Sequence, residues 1–67
     1  MVYKVFCEWD IGQEGIAFVS EKAARNWIES QKDILLSDID ETIKSLMKQR
    51  LLVIEPLIVI DEKGERV

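Results

Sequence analysis

A chain of 67 residues with 48% apolar residues, one cysteine and no histidine is long enough for one small domain of marginal stability. The single cysteine excludes an internal disulfide, and the absence of histidine excludes the usual tetrahedral zinc sites. The net charge of −4 lies in the two end segments and disfavours direct nucleic-acid binding, which needs a basic surface. Association is the remaining source of stability for so small a chain. We therefore expect a homodimer.

No targeting or membrane segment is expected. The N-terminus alternates apolar and polar residues instead of forming the continuous apolar stretch of a signal peptide. The longest apolar segment, residues 51–60, is interrupted by Glu55 and Pro56. It is also far shorter than the roughly 20 residues of a membrane helix. We expect a cytoplasmic protein without membrane contact.

The N-terminal half is predicted to form a β-hairpin followed by a helix. Residues 2–9 alternate as a strand does, residues 10–15 contain two glycines and indicate a turn, and residues 16–19 are the return strand. Ser20 is placed to cap a helix over residues 21–31. The apolar stripe of that helix, with Trp27 as its expected main anchor, is Ala23, Ala24, Trp27 and Ile28.

The C-terminal half is predicted to add a second helix and β structure. Residues 34–36 are compatible with a helix or a buried link, and Ser37 is the predicted start of the second helix. Its predicted core stripe is Ile39, Ile43, Leu46 and Met47. Residues 51–60 read as β structure in which Pro56 marks an edge, a bulge or a bend. Residues 61–65 are a predicted tight turn that folds the last residues back.

These elements predict one α+β domain over residues 1–67. The predicted order is β-β-α-α-β, with the hairpin and the C-terminal strand or strands packed against two helices.

The residues that carry chemistry in enzymes do not form a recognisable set here. Cys7 has no histidine to act as its base, and its place on the apolar face of the first strand favours packing. On a helix, Asp38 and Asp40 would point about 200° apart and could not converge on one metal ion. We expect no enzymatic activity, no metal and no cofactor.

Residues 9–28 are similar to small hairpin-then-helix proteins of bacteria and their phages. The residues that carry this resemblance are Trp9-Asp10, the glycine turn, Phe18-Val19-Ser20-Glu21-Lys22-Ala23-Ala24 and Trp27-Ile28. Counted from the N-terminus, the resemblance covers about 28 residues, and the C-terminal half has no counterpart in it. It implies a role in binding and disabling a host protein. No catalytic residues are associated with this pattern.

Three functional hypotheses follow. The first is a protein-binding module, as in a phage-encoded inhibitor that imitates DNA. Its acidic residues would face a basic host factor such as a nucleoid protein; they are Glu8, Asp10, Glu14, Asp61, Glu62 and Glu65. The second is a structural module that associates with itself through the last strand, by Leu52, Ile54, Leu57 and Val59. The third is a winged-helix-like nucleic-acid binder with Lys44, Lys48 and Arg50 on the phosphates, although its would-be wing at residues 61–65 is acidic.

Overall fold

The computed structural model describes all 67 residues. The elements are, in chain order, β1 (Val2–Cys7), α1 (Glu21–Ser30), α2 (Lys32–Leu35), α3 (Ile43–Lys48) and β2 (Leu52–Leu57). The two strands pair in antiparallel fashion, and all three helices lie between them in the sequence. This confirms the predicted α+β class. None of the helices combines the length and the apolar character that crossing a bilayer requires.

β1 lies in the middle of the sheet region. On one side it pairs with β2, in a register that runs from Val2 opposite Leu57 to Cys7 opposite Leu52. On the other side, Tyr3 forms a single antiparallel bridge with Phe18, with N–H···O distances of 2.9 and 2.8 Å. The predicted return strand over residues 16–19 is therefore present as one bridge. The loop between β1 and this bridge turns inward and contributes to the core. Little of the predicted return strand is therefore left to pair with β1.

The core consists of seven buried apolar side chains drawn from both strands, all three helices and the loop after β1. They are Val5, Ile11, Ala24, Ile28, Leu35, Leu46 and Leu52. Because side chains alternate across a strand, the residues that share a face with Val5 and Leu52 point to the helices. Cys7 and Ile54 accordingly pack against this cluster. Their neighbours in the strands point to the opposite, outer face.

The loop after β1 is more than the turn that the sequence predicts. Ile11 is buried in the core, and the Gln13 side chain is 9% exposed. The Gln13 Oε1 accepts a hydrogen bond from the Ile11 N–H at 2.8 Å, and its Nε2 donates to the Trp9 carbonyl at 3.2 Å. The Asp10 carboxylate accepts a bond from the N–H of Gly12, whose φ is +89°. The loop is thus fixed by its own side chains.

α1 begins where the sequence predicts. The Ser20 hydroxyl accepts a hydrogen bond from the Ala23 N–H at 3.0 Å, which satisfies one of the free amides of the first turn. The residues that bury completely are Ala24 and Ile28. Trp27 is half-buried and packs against Phe18, with ring centroids 5.5 Å apart. The prediction that Trp27 is the main anchor is therefore wrong, because the small Ala24 lets the backbone approach the sheet and places Ile28 deepest.

The second predicted helix begins six residues later than expected. α3 starts at Ile43, and Thr42, not Ser37, is its cap: the Thr42 Oγ1 accepts from the Ser45 N–H at 3.0 Å. Ser37 lies in the turn that follows α2. Aspartate is a poor helix former that favours turns and caps, which explains why the acidic stretch 38–41 stays outside the helix. Ile39 consequently leaves the predicted core stripe and is 39% exposed. Of residues 34–36, which the sequence leaves open between a helix and a buried link, Ile34 and Leu35 belong to α2, and Leu36 is the residue that ends it.

Capping of α3 gives a direct test of this boundary. Thr42→Ala is expected to lower the free energy of unfolding by about 1 kcal/mol, because it leaves the Ser45 amide without its acceptor. Ser37→Ala, at an exposed turn position, is the matched control and is expected to change it by less than about 0.5 kcal/mol. Urea denaturation of both variants measures the two values. A larger loss for Ser37→Ala would place the helix start where the sequence alone put it.

β2 runs through Pro56, and of the three predicted alternatives, an edge, a bulge or a bend, the structure has the edge. Both backbone polar groups of Tyr3, which lies opposite Pro56, bond to Phe18 on the far side of β1. The Tyr3–Pro56 pair is therefore one of the non-hydrogen-bonded pairs of an antiparallel ladder. The nitrogen of Pro56 points to the open edge of the sheet. No ladder hydrogen bond is lost there.

Residues 58–67 form a terminal arm beyond the end of β2. Ile60 bridges Arg66, the Val67 N–H donates to the Val59 carbonyl at 2.9 Å, and the amino group of Met1 donates to the Val67 carbonyl at 2.8 Å. The predicted turn over residues 61–65 is confirmed. With this arm, the molecule extends 47 × 20 × 19 Å.

Candidate functional site

A surface cavity of about 210 Å³ lies where the end of β1 meets α2 and the turn after it. Its lining residues are Trp9, Ile34, Leu35, Ser37, Asp38 and Ile39. Trp9 is held in place because its carbonyl accepts the hydrogen bond from the Gln13 side chain. Leu35 is buried in the core and fixes the base of the cavity. We call this the Trp9 cavity.

The walls of the Trp9 cavity expose large apolar side chains. Ile34 is 57% exposed and Ile39 is 39% exposed, whereas Trp9 is half-buried against the core. Ile34 lies on α2, and Ile39 follows the turn after it. Apolar surface gathered at one concave place is typical of a contact site.

One acidic residue lines the cavity, and several others are neighbours of its lining residues in the sequence. Asp38 lines the cavity itself. In the sequence, Glu8 and Asp10 flank Trp9, and Asp33 precedes Ile34. Asp38 and Asp40 flank Ile39. Residues 33–43 contain four acidic residues and no basic one. The Trp9 cavity therefore combines apolar walls with the exposed carboxylate of Asp38 at its rim.

The six acidic residues predicted to bind a partner fall into two groups. The Glu8 N–H donates to the Leu51 carbonyl at 3.1 Å, which places Glu8 at the start of β2, and Asp10 is beside it in sequence. Glu14 lies along β1, near Lys4 and Cys7. The others, Asp61, Glu62 and Glu65, belong to the terminal arm. At about 3.3 Å per residue, the stretch from Leu51 to Asp61 spans roughly 30 Å, so the two groups lie at opposite ends.

Two of these acids are engaged within their own turns. The Asp61 carboxylate accepts hydrogen bonds from the N–H groups of Lys63 and Glu65, both at 2.9 Å. The Asp10 carboxylate accepts from Gly12 at 2.7 Å. Each carboxylate therefore organises a loop, and Asp61 in particular shapes the tip of the terminal arm.

The four residues predicted for self-association also separate. Leu52 is in the core and Ile54 packs against it, so both face the helices. Leu57 is exposed at the end of β2, and Val59 lies half-buried in the terminal arm. Only Leu57 and Val59 are therefore placed near the surface.

The sequence did not single out Ile34, Asp38 and Ile39 as members of one site. Ile39 was assigned to a core stripe because the helix was expected to begin at Ser37. The signal that identifies it is the pattern Asp38-Ile39-Asp40, an apolar residue between two acids that favour turns over helices. No group of three or more His, Cys, Asp or Glu side chains is arranged to hold a metal ion.

No family model, curated protein or solved structure matches this chain. The functional proposal accordingly depends on the geometry of the Trp9 cavity.

Proposed function

We propose that this chain is a protein-binding module. Its Trp9 cavity accepts a lysine or arginine side chain of a basic partner. The observation that carries the proposal is that apolar walls and the carboxylate of Asp38 line one concave site. Lysine and arginine have the complementary structure, since each carries a cation at the end of an apolar stem.

The expected contacts follow from the lining residues. The methylene stem packs against Ile34 and Ile39, and the cation lies near the carboxylate of Asp38. The indole ring of Trp9 adds a cation–π attraction, which is strongest for tryptophan. Together these contacts select a long basic side chain over a purely apolar one or a short polar one.

The size of the cavity favours a single side chain as its occupant. At about 210 Å³ it is smaller than the 300–1,000 Å³ or so of typical small-molecule sites. A protein partner that contributes one anchoring residue and surrounding surface fits this volume better than a free metabolite does. The acidic residues near the rim would attract a basic partner over a longer range and accelerate association.

An inhibitory role is the form of this function that the resemblance to small phage and bacterial proteins implies. A basic surface that accepts this module would commonly be one that binds nucleic acid. The module would then compete with nucleic acid for a host factor such as a nucleoid protein. The acids of the terminal arm, roughly 30 Å away, would add to the attraction without contacting the same anchoring residue.

Charge reversal at the rim tests the site. Asp38→Lys is expected to weaken binding of an oligolysine peptide at least about tenfold, which corresponds to about 1.4 kcal/mol. Glu65→Lys makes the same change of net charge in the terminal arm and is expected to change the affinity less than about twofold. Isothermal titration calorimetry at one fixed salt concentration gives both values. Equal losses in the two variants would show that only net charge matters and would contradict the proposal.

The apolar part of the site has its own matched pair. Ile39→Asn removes an apolar wall of the cavity, whereas Val19→Asn makes a comparable apolar-to-polar change at an exposed position outside it. Only Ile39→Asn is expected to weaken peptide binding. If both variants bind the oligolysine peptide with unchanged affinity, the interaction depends on charge alone. That result would contradict the proposal that a side chain enters the cavity.

A further inference from the structure

The outer face of the sheet presents apolar side chains to solvent. Alternation along the strands places six residues on the side away from the helices: Val2, Lys4, Phe6, Val53, Glu55 and Leu57. Phe6 is 46% exposed and Leu57 is 39% exposed. Four of the six positions are apolar, so this face is poorly suited to remain in water.

The composition of β2 points to cover on both faces. A strand with one solvent-facing side alternates apolar and polar residues, whereas a nearly continuous apolar run is typical of strands covered on both sides. β2 has four apolar residues among six, and on its outer face Val53 and Leu57 lie on either side of Glu55. The helices cover only the face that carries Leu52 and Ile54. A second surface is needed for the other face.

Pairing of two sheet edges is disfavoured as the way to supply that surface. The nitrogen of Pro56 points to the open edge of β2 and has no hydrogen to donate, a feature typical of edges that resist pairing. A second surface can therefore cover the sheet only by packing on its outer face. The charges of that face indicate which partner surface is complementary to it.

Lys4 and Glu55 are directly opposite each other in the middle of the outer face. The Lys4 Nζ donates to the Ile16 carbonyl, which leaves two of its three donors free. The face therefore carries one cation and one anion side by side, flanked by apolar residues at both ends. Such a face is complementary to itself when a partner is turned so that its anion meets the cation.

We propose that the outer face binds a second copy of this chain, face to face, about a two-fold axis that runs along the strands between β1 and β2. This axis places Lys4 over the partner's Glu55 and Glu55 over the partner's Lys4. It also places Val2 over the partner's Leu57 and Phe6 over the partner's Val53. An axis across the strands at the level of this pair would place like charges over each other, which destabilises an interface.

The size of the face sets the expected strength. Two paired strands of six residues present a face of roughly 20 by 10 Å. This is small beside the roughly 800 Å² per partner of a standard interface. We therefore expect a dimer that forms at high protein concentration and dissociates on dilution.

Charge exchange between copies tests the arrangement. Lys4→Glu produces a face with two anions, and Glu55→Lys produces a face with two cations. Each variant alone is expected to sediment as a monomer at concentrations where the unchanged chain is a dimer. An equimolar mixture of the two is expected to sediment as a dimer, because the anionic face of one is complementary to the cationic face of the other. A contact between Lys4 and Glu55 within one chain cannot explain a dimer in the mixture, because each chain in it still carries its own substitution.

Two controls accompany the mixture. Glu62→Lys reverses a charge in the terminal arm and is expected to leave the dimer intact. Phe6→Asp places a charge at an exposed apolar position of the outer face and is expected to abolish the dimer. Lys4→Glu loses the bond to Ile16, and circular dichroism shows whether it still folds. If it does not, Phe6→Asp still tests the proposal. Three results would each overturn the proposal. The unchanged chain could be monomeric at every concentration, or the dimer could survive Phe6→Asp. The third is a mixture of folded charge variants that stays monomeric. None of the changed residues lines the Trp9 cavity, so the result is independent of the proposed function.

Discussion

Replacing Ile28 with alanine is expected to lower the free energy of unfolding by about 3 kcal/mol, within the range for isoleucine truncation in packed cores. Ile28 is buried between α1 and the sheet in the single apolar cluster of the molecule. Truncation removes apolar contacts and leaves a cavity. A domain of this size has little stability in reserve. The variant should therefore be partly unfolded in the absence of denaturant.

The matched control for Ile28→Ala is Ile34→Ala. The chemical change is the same, but Ile34 is mostly exposed on α2, and we expect a loss of less than about 0.5 kcal/mol. Urea denaturation followed by tryptophan fluorescence compares the two variants. Similar losses at both positions would contradict the assignment of Ile28 to the core and of Ile34 to the cavity wall.

Replacing Gln13 with alanine is expected to cost about 2 kcal/mol, because it leaves the buried Ile11 amide without an acceptor. The same change removes the hydrogen bond to the Trp9 carbonyl and should loosen the wall of the Trp9 cavity. We therefore expect weaker binding of the oligolysine peptide in addition to lower stability.

Amide hydrogen exchange gives a local test of the role of Gln13. The Ile11 N–H should exchange slowly in the unchanged chain and much faster in Gln13→Ala. Gln49→Ala is the control, since its side chain bonds only to the exposed Ser45 region. Fast exchange of the Ile11 amide in the unchanged chain would show that the loop is not fixed by Gln13.

The predictable parts of the fold are those set by local patterns. Alternation identified β1, and the Ser20 cap and the apolar stripe identified α1, while Pro56 left an edge, a bulge and a bend as alternatives. These features depend on residues close together in sequence, where side-chain period and capping chemistry decide the structure.

The parts that the sequence missed depend on competition between local signals or on tertiary contacts. Ser37 and Thr42 are both acceptable caps, and the acidic stretch between them decides in favour of Thr42. Ile11 lies in what reads as a polar turn, yet the Gln13 side chain satisfies its backbone and allows it to enter the core. The Trp9 cavity unites residues from the segment after β1, from α2 and from the chain that follows α2, so no pattern within one segment could reveal it.

The acidic surface illustrates the same limit. Charge counts along the sequence located the excess negative charge in the two end segments but could not show how far apart these segments lie in space. The register of β1 with β2 places Glu8 beside Leu51 and leaves Asp61 beyond Leu57. The Trp9 cavity lies near the end that carries Glu8 and Asp10. We therefore propose the binding site at that end and not at the terminal arm.

The most direct test of the central proposal is an NMR titration of the isotopically labelled chain with the oligolysine peptide. We predict that the largest chemical-shift changes occur at the indole N–H of Trp9 and the amides of Ile34, Asp38 and Ile39, while residues 61–65 change little. Changes concentrated in the terminal arm, or spread evenly over all acidic residues, would contradict a partner-binding site at the Trp9 cavity.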